Sequence, residues 1–282
     1  MRPVVFLSDF GLDDAFVGTC HAVMKHIAPG LDVTDLTHGI GPQQVLQGAL
    51  ALHAAAPYLP AAAIVLAVVD PGVGSARRAI AVRGADRRFY IGPDNGLLLL
   101  AAEHAGPLFD ARELTDPRYR LDPVSATFHG RDVFAPAAAH LAAGVPLAEL
   151  GPSLDPSLLV RVEVPVPAVA PGFLRAVVVA VDRYGNVQLA AGAGDLVAAG
   201  FVPGMRVVVE PGAAAPAAPA APDAARPAQA TVGRTFADVA PGALLVHEDS
   251  SGRLAVVVAG GSAAGRLGLA VGATLVLARP GT

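Results

Sequence analysis

Three carboxylates, Asp9, Asp13 and Asp14, fall within SDFGLDD (Ser8 to Asp14), directly after the apolar run VVFL. Acids clustered at the end of a strand suit a divalent metal, a proton transfer or hydrogen bonds from a polar ligand. Three more clusters interrupt apolar sequence in the same way. DPGVGSARR (Asp70 to Arg78) follows a second apolar run, and its Pro71, Gly72 and Gly74 force a tight loop with accessible backbone amides. TFHGRD (Thr127 to Asp132) precedes a helical pattern starting near Val133, and DRYGNVQ (Asp182 to Gln188) ends an apolar run in the second half. PDNG (Pro93 to Gly96) and EDSSG (Glu248 to Gly252) are weaker signals of this kind.

Each cluster also has a plainer reading. Asp9, Asp13 and Asp14 suit helix N-caps, DPGVG a strand-to-loop turn, Arg77 and Arg78 solvated charge, and His129 a satisfied core histidine. Two motif likenesses fail on context. DFG stands here without a kinase glycine-rich loop, HRD or strand lysine, and DPGVGSARR has neither a P-loop lysine nor GxGxxG spacing. Asp9, Asp13, Asp14, His129 and Asp132 are the ligand types of a hydrolytic metal centre. Against this, no HxH, HxxxH or HExxH pair sets two imidazoles on one ion, so a metal-dependent phosphoesterase is a secondary alternative.

The elements that must position these residues alternate along the first half. Val4 to Leu7 reads as a strand, Asp14 to Ile27 as a helix stopped by Pro29-Gly30, and Leu31 to Leu36 as a strand. Gln43 to Ala55 reads as a helix and Ala63 to Val69 as a strand. This order predicts an α/β domain over 1–165, a mostly parallel sheet flanked by helices, with ligands beyond the carboxyl ends of its strands. Asp9 and Asp70 occupy such ends. Later runs (Leu174 to Asp182, Met205 to Glu210, Ala243 to Asp249, Arg253 to Gly260, Thr274 to Arg279) predict a smaller all-β, barrel-like domain over 166–282. The proline-rich Glu163 to Gly172 reads as a linker, and the Ala/Pro-rich 211–230 as a surface insertion.

Composition narrows the function classes. The 282 residues are 53% hydrophobic and 16% charged, with net charge -4, which supports a well-buried core and provides no basic stripe for nucleic acid. A single cysteine, Cys20, rules out a disulfide framework and a cysteine metal cluster, and fits a reducing cytoplasm. No apolar run approaches the ~18 residues of a spanning helix, and VVFL is too short for a signal peptide. A soluble cytoplasmic protein without a membrane partner is expected.

Taken together, the clusters resemble the S-adenosyl-L-methionine (SAM) hydroxide adenosyltransferases, adenosine-forming SAM hydrolases related to the fluorinase and chlorinase. SDFGLDDAFVG, DLTHGI, DPGVGSARR, IGPDNGLL, TFHGRDVFAPAAAHLAAG, VDRYGNVQ, TFADVAPG and DSSGRLAV occur in the family's order over nearly the full length. The resemblance implies cleavage of SAM by water at C5′ to adenosine and L-methionine, with SAM as substrate and no cofactor. It implies a catalytic set of Asp70, Arg77 and His129 around a water. In the halogenating relatives, Tyr stands at the positions of Asp70 and His129 and Ser at that of Gly130, so halide chemistry is disfavoured here. The implied substrate contacts are Asp9 on the ribose, Asp14 as a second carboxylate contact, and Thr127 and Phe128 within TFHGRD. From the β domain, Asp182 and Asn186 match residues on the methionine portion, Ser250 a carboxylate donor, and Tyr184 and Phe236 ring positions near adenine or methionine. The resemblance further implies a homotrimer with SAM between one subunit's α/β domain and its neighbour's β domain. Ala259 and Asp249 stand where relatives often carry Asn, and Gln43 where halogenases place a Trp. A non-catalytic SAM- or adenosine-binding module is the alternative from another class.

Overall fold

The computed structural model describes residues 1–212 and 227–281, in two units divided between Glu163 and Val164. In the first unit the chain forms β1 (Val4–Ser8), α1 (Phe16–Ile27), β2 (Val33–Thr37), α2 (Val45–Ala55) and β3 (Ile64–Val68). It continues with β4 (Ala79–Arg83), β5 (Phe89–Pro93), α3 (Leu99–Ala102), β6 (Asp110–Glu113) and α4 (Ala135–Ala142). The sheet order is β2-β1-β3-β5-β4-β6. β2, β1, β3 and β5 run parallel, and β4 alone is reversed, pairing antiparallel with β5 and β6. The mostly parallel sheet flanked by helices is therefore present.

β1 and β3 are buried at every position, as parallel strands covered on both faces must be. Alternation along β1 divides the core. Phe6 joins Cys20 and Met24 of α1 and Ala138 of α4 on one face, while Leu7 joins Leu52 of α2 and Leu97 on the other. Because β2 and β3 leave β1 on opposite sides, the strand order reverses there, and a crevice opens beyond the carboxyl ends of β1 and β3. The two strands run in register, Ser8 opposite Val68, and the Asp9 N–H donates to the Val68 carbonyl at 3.3 Å. Asp9 and Asp70 thus emerge from neighbouring strands at the same edge.

The second unit contains β7 (Ala168–Ala170), β8 (Phe173–Val181), β9 (Val187–Leu189), α5 (Ala193–Ala198), β10 (Arg206–Pro211) and β11 (Ala228–Val232). It ends with β12 (Leu244–Glu248), β13 (Leu254–Val258), α6 (Ala263–Leu267) and β14 (Thr274–Ala278). The order β14-β10-β11-β12-β13-β9-β8 closes through a β14–β8 pairing into a seven-strand barrel, with β7 appended to β8. The expected linker thus holds a short strand, because Ala168–Ala170 lies between its prolines and pairs with β8. The expected insertion is also strand at both ends: Pro211 completes β10 and Ala228–Ala230 begin β11, its antiparallel neighbour. Residues 213–226 lie outside the described residues. Among the described residues, no helix is long and apolar enough to cross a membrane.

Candidate active site

Asp70, two residues beyond β3, and Arg77, near the end of the DPGVGSARR loop, face each other across a tight turn. Arg77 Nε donates to Asp70 Oδ1 at 2.9 Å and to Oδ2 at 3.1 Å, and Nη2 also donates to Oδ2. The pair is largely withdrawn from water, with side-chain exposures of 6% for Asp70 and 10% for Arg77, and the guanidinium lies 5.1 Å from the centre of the Phe134 ring. Arg77 Nη2 further donates to His129 Nδ1 at 2.8 Å. A guanidinium has no acceptor, so this contact fixes the tautomer: Nδ1 carries the lone pair and Nε2 the proton. Burial first, and the Arg77 charge second, hold the His129 pKa below its ordinary value, which keeps the ring neutral.

Local backbone geometry brings these groups together. Gly74 has φ +77°, and a Cβ there would sit 2.4 Å from the Ala126 carbonyl oxygen, so only glycine lets the Asp70 loop lie against the segment entering TFHGRD. His129 precedes a single π-helical turn, Gly130–Phe134, which runs into α4, and such turns often present functional side chains. Asp132 within that turn is buried, is paired with Arg131 (2.6 Å) and accepts the Ser125 N–H (2.8 Å), so it secures the loop rather than facing a ligand. Neither arginine is solvated surface charge. Arg78 donates to the buried Asp94 at 2.9 Å and to the Leu158 carbonyl at 2.9 Å. Asn95 Nδ2 of the same PDNG segment donates to the Val69 carbonyl at 2.8 Å, fixing the end of β3 beside Asp70.

Asp70 and His129 line a cleft of ≈ 300 Å³ together with Asp9, Gln43, Thr127, Phe128 and Gly130, while Arg77 stands behind them. Asp9 Oδ2 accepts the Gln43 N–H at 2.8 Å, made possible by φ +63° at Gln43. Oδ1 accepts no hydrogen bond from the described residues, so the carboxylate is half committed to its own loop. Asp13 and Asp14 are exposed and do not line this cleft. They also do not cap α1, whose N-cap position is Ala15 without a side-chain cap. The sequence reading named Phe128 but missed the two rings that join it in an aromatic wall, Phe10 and Phe16. Phe10, Phe16 and Phe128 meet with ring centres 5.2–5.9 Å apart, and all three line the cleft. The signal was available, since two phenylalanines bracket GLDDA and Phe16 stays 44% exposed on a helix whose other large apolar side chains turn inward.

On the second unit, Asp182 Oδ1 accepts the Tyr184 and Asn186 N–H groups, each at 2.9 Å, and Oδ2 accepts Asn186 Nδ2 at 2.7 Å. Asp182 therefore shapes the DRYGN turn and aims the Asn186 amide. Asn186 lies where two hollows adjoin, one lined by Tyr184 and Phe236 and the other by Asp182, Phe236 and Ser250. Tyr184 and Phe236 are strongly exposed rings. Asp249 is occupied internally: Oδ1 accepts the Ser251 N–H and hydroxyl (2.8 and 2.6 Å), and Oδ2 accepts Gln188 Nε2 at 2.6 Å.

Both units have known counterparts. The SAM hydroxide adenosyltransferase N-terminal domain matches residues 4–151, and the corresponding C-terminal domain matches residues 176–276. A (R)-S-adenosyl-L-methionine hydrolase from Salinispora tropica is 49% identical over 272 residues, covering 95% of each chain. A fluorinase from an Actinoplanes species is 30% identical over 208 residues, covering 65% of this chain and 70% of its own. The crystal structure of an uncharacterized conserved protein from Thermotoga maritima aligns with a TM-score of 0.85 at 32% identity, covering 98% of this chain and 100% of its own.

Proposed function

The chain belongs to the SAM hydroxide adenosyltransferase family, and from that premise we propose that it cleaves SAM with water to adenosine and L-methionine. The observation carrying this reading is the continuous contact from Asp70 through Arg77 to His129, with both outer members on the cleft that holds Asp9.

The chemistry follows from the charges. C5′ of SAM bears a sulfonium, so methionine departs as a neutral thioether and needs no proton. Water attacking in line behind C5′ develops positive charge beside an existing cation, so catalysis requires an acceptor for its proton. Asp70 fills that role, because Arg77 leaves a lone pair on Oδ1 free. His129, neutral with its proton on Nε2, donates to the water oxygen and orients the other lone pair toward carbon. Arg77 acts on both: it fixes the carboxylate, sets the imidazole tautomer and keeps the ring uncharged beside the sulfonium. The C–O bond forms as the C5′–S bond breaks, and the proton passes to Asp70 as the oxygen turns acidic. Positioning contributes further, up to ~7–11 kcal/mol in ideal cases.

Asp9 holds the ribose through Oδ1, with Thr127 and the Phe128 ring beside it, and Asp14, exposed just before α1, offers the second carboxylate contact. Asn186, aimed by Asp182, and Ser250 hold the methionine amino and carboxylate groups, while Tyr184 and Phe236 offer ring faces. A homotrimer with SAM at subunit interfaces, in the cytoplasm, completes the reading; it rests on the family resemblance and, for the compartment, on the single buried Cys20. The reaction as drawn needs no cofactor. The Salinispora relative's name also leads us to expect the (R) sulfonium epimer as the better substrate. Chromatography of SAM incubated with the protein should yield adenosine and methionine in equal amounts. S-adenosylhomocysteine would indicate methyl transfer and sink the proposal, and saturable binding without products would leave only a SAM-binding module.

A further inference from the structure

Away from the cleft, the fold brings together two imidazoles that the sequence keeps apart. His21 projects from α1, Asp35 from β2, and His38 follows the end of β2. His21 Nε2 lies 2.8 Å from Asp35 Oδ1 and His38 Nε2 lies 3.1 Å from the same oxygen. One ligand atom from each residue falls within 4.8 Å of the others, and among the described residues this is the only set of three or more such side chains to converge. Zinc bonds of ~2.0–2.2 Å arranged tetrahedrally separate neighbouring ligand atoms by roughly 3.3 Å, near the 2.8 and 3.1 Å that separate Asp35 Oδ1 from the two imidazole nitrogens.

A second observation points the same way. The His38 side chain is 1% exposed, and its Nε2 has no hydrogen-bond partner, because Asp35 sits off the N–H direction. An unpartnered buried ring nitrogen is costly unless something occupies the space it faces. The other nitrogen is already held: His38 Nδ1 and Ser8 Oγ are 2.7 Å apart. With Nδ1–H donating to Ser8, Nε2 presents its lone pair to the space beside Asp35 Oδ1 and His21 Nε2, the outer-sphere support typical of a metal-binding histidine. The Phe6 ring packs against both imidazoles, 4.7 Å from His38 and 6.0 Å from His21. Asp35 and His21 keep side-chain exposures of 40% and 24%, which gives an ion a path from solvent.

We propose that His21 Nε2, Asp35 Oδ1 and His38 Nε2 form a binding site for one borderline divalent ion of the zinc class, with water in the fourth position. Two imidazoles and one carboxylate select such an ion over magnesium or calcium, which prefer all-oxygen shells. The ion joins α1 to β2 and, through Ser8, steadies the end of β1 immediately before Asp9. Its role is structural, since the site lies outside the cleft lining.

The test uses full-length protein without a histidine tag, treated with chelator and dialysed. Calorimetry with zinc chloride should give one ion per chain at micromolar affinity or tighter, and magnesium chloride should give no saturable binding. Cobalt(II) should develop the intense visible bands of a tetrahedral site. His21→Ala and Asp35→Asn, both at partly exposed positions, should each weaken zinc binding at least tenfold, with metal-free unfolding like that of the parent. Asp70→Asn should leave zinc affinity unchanged. No saturable zinc binding would show only a hydrogen-bonded histidine pair and overturn the proposal. Binding that survives both substitutions, or that is lost in Asp70→Asn, would place the ion elsewhere and overturn it too.

Discussion

Replacing Arg77 with Lys tests the link that joins the two cleft-facing groups. The guanidinium meets Asp70 through Nε and Nη2 and His129 through Nη2 at 2.8 Å. A single ammonium on a flexible stem cannot reproduce that fork, so either Asp70 or His129 loses its partner. One hydrogen bond to a charged group contributes ~1.5–3 kcal/mol, so a loss felt mainly in the transition state lowers kcat by about 10- to 150-fold. Because Arg77 stands behind the cleft, the SAM dissociation constant should change less than about threefold. Single-turnover kinetics and calorimetry on the same preparation separate the two quantities, with thermal unfolding as the control for folding. Arg77→Gln adds a pH readout. Burial first and Arg77 second depress the His129 pKa, so neutral His129 and activity persist until the pH falls through that lowered value. Removing the charge raises the pKa part of the way back, and the acid limb of kcat/KM moves to higher pH. An unchanged kcat in the lysine variant, or an unmoved acid limb in the glutamine variant, would refute this role for Arg77.

Other outcomes follow from the same geometry. Gly74→Ala forces a Cβ to 2.4 Å from the Ala126 oxygen at φ +77°; denaturant unfolding should show a loss of about 1–3 kcal/mol, with reduced turnover. Gly130→Ser places a Cβ 2.9 Å from the Phe10 ring; kcat/KM should fall at least tenfold, and incubation with fluoride or chloride should give no 5′-halogenated nucleoside. His129 and His140 are both held below the ordinary value of 6.5 by burial, so the unfolded chain takes up protons first as the pH falls. The contribution of these two groups to stability is thus fully present above about pH 6.5 and is lost as the pH falls through their lowered folded-state values, and calorimetric melting between pH 7 and 5 should show a shallower fall in His140→Leu.

The parts of the fold legible in the sequence were those written locally. Two apolar runs ending in aspartate, Val4 to Asp9 and Ala63 to Asp70, announced strands, and the paired strands bring both aspartates to one cleft. Strand direction was not legible: β4 pairs antiparallel with both β5 and β6, and that choice is made by neighbours distant in sequence rather than by the strand's own residues. Asp13 and Asp14 resembled caps by type, but α1 begins one residue later than such a cap requires. The Gln43 N–H on Asp9 was hidden because a backbone donor has no sequence signature. The His21–His38 pairing was hidden for a related reason: it depends on α1 packing beside β2, and spacing motifs find only ligands on a single element.

The most direct test of the central claim is the fate of the attacking oxygen. SAM incubated with the protein in H₂¹⁸O should give adenosine carrying one ¹⁸O at the 5′-hydroxyl, alongside unlabelled methionine, and Asp70→Asn should lower the rate at least a hundredfold while still binding SAM. Adenosine without the label, or label in methionine instead, would contradict attack by water at C5′.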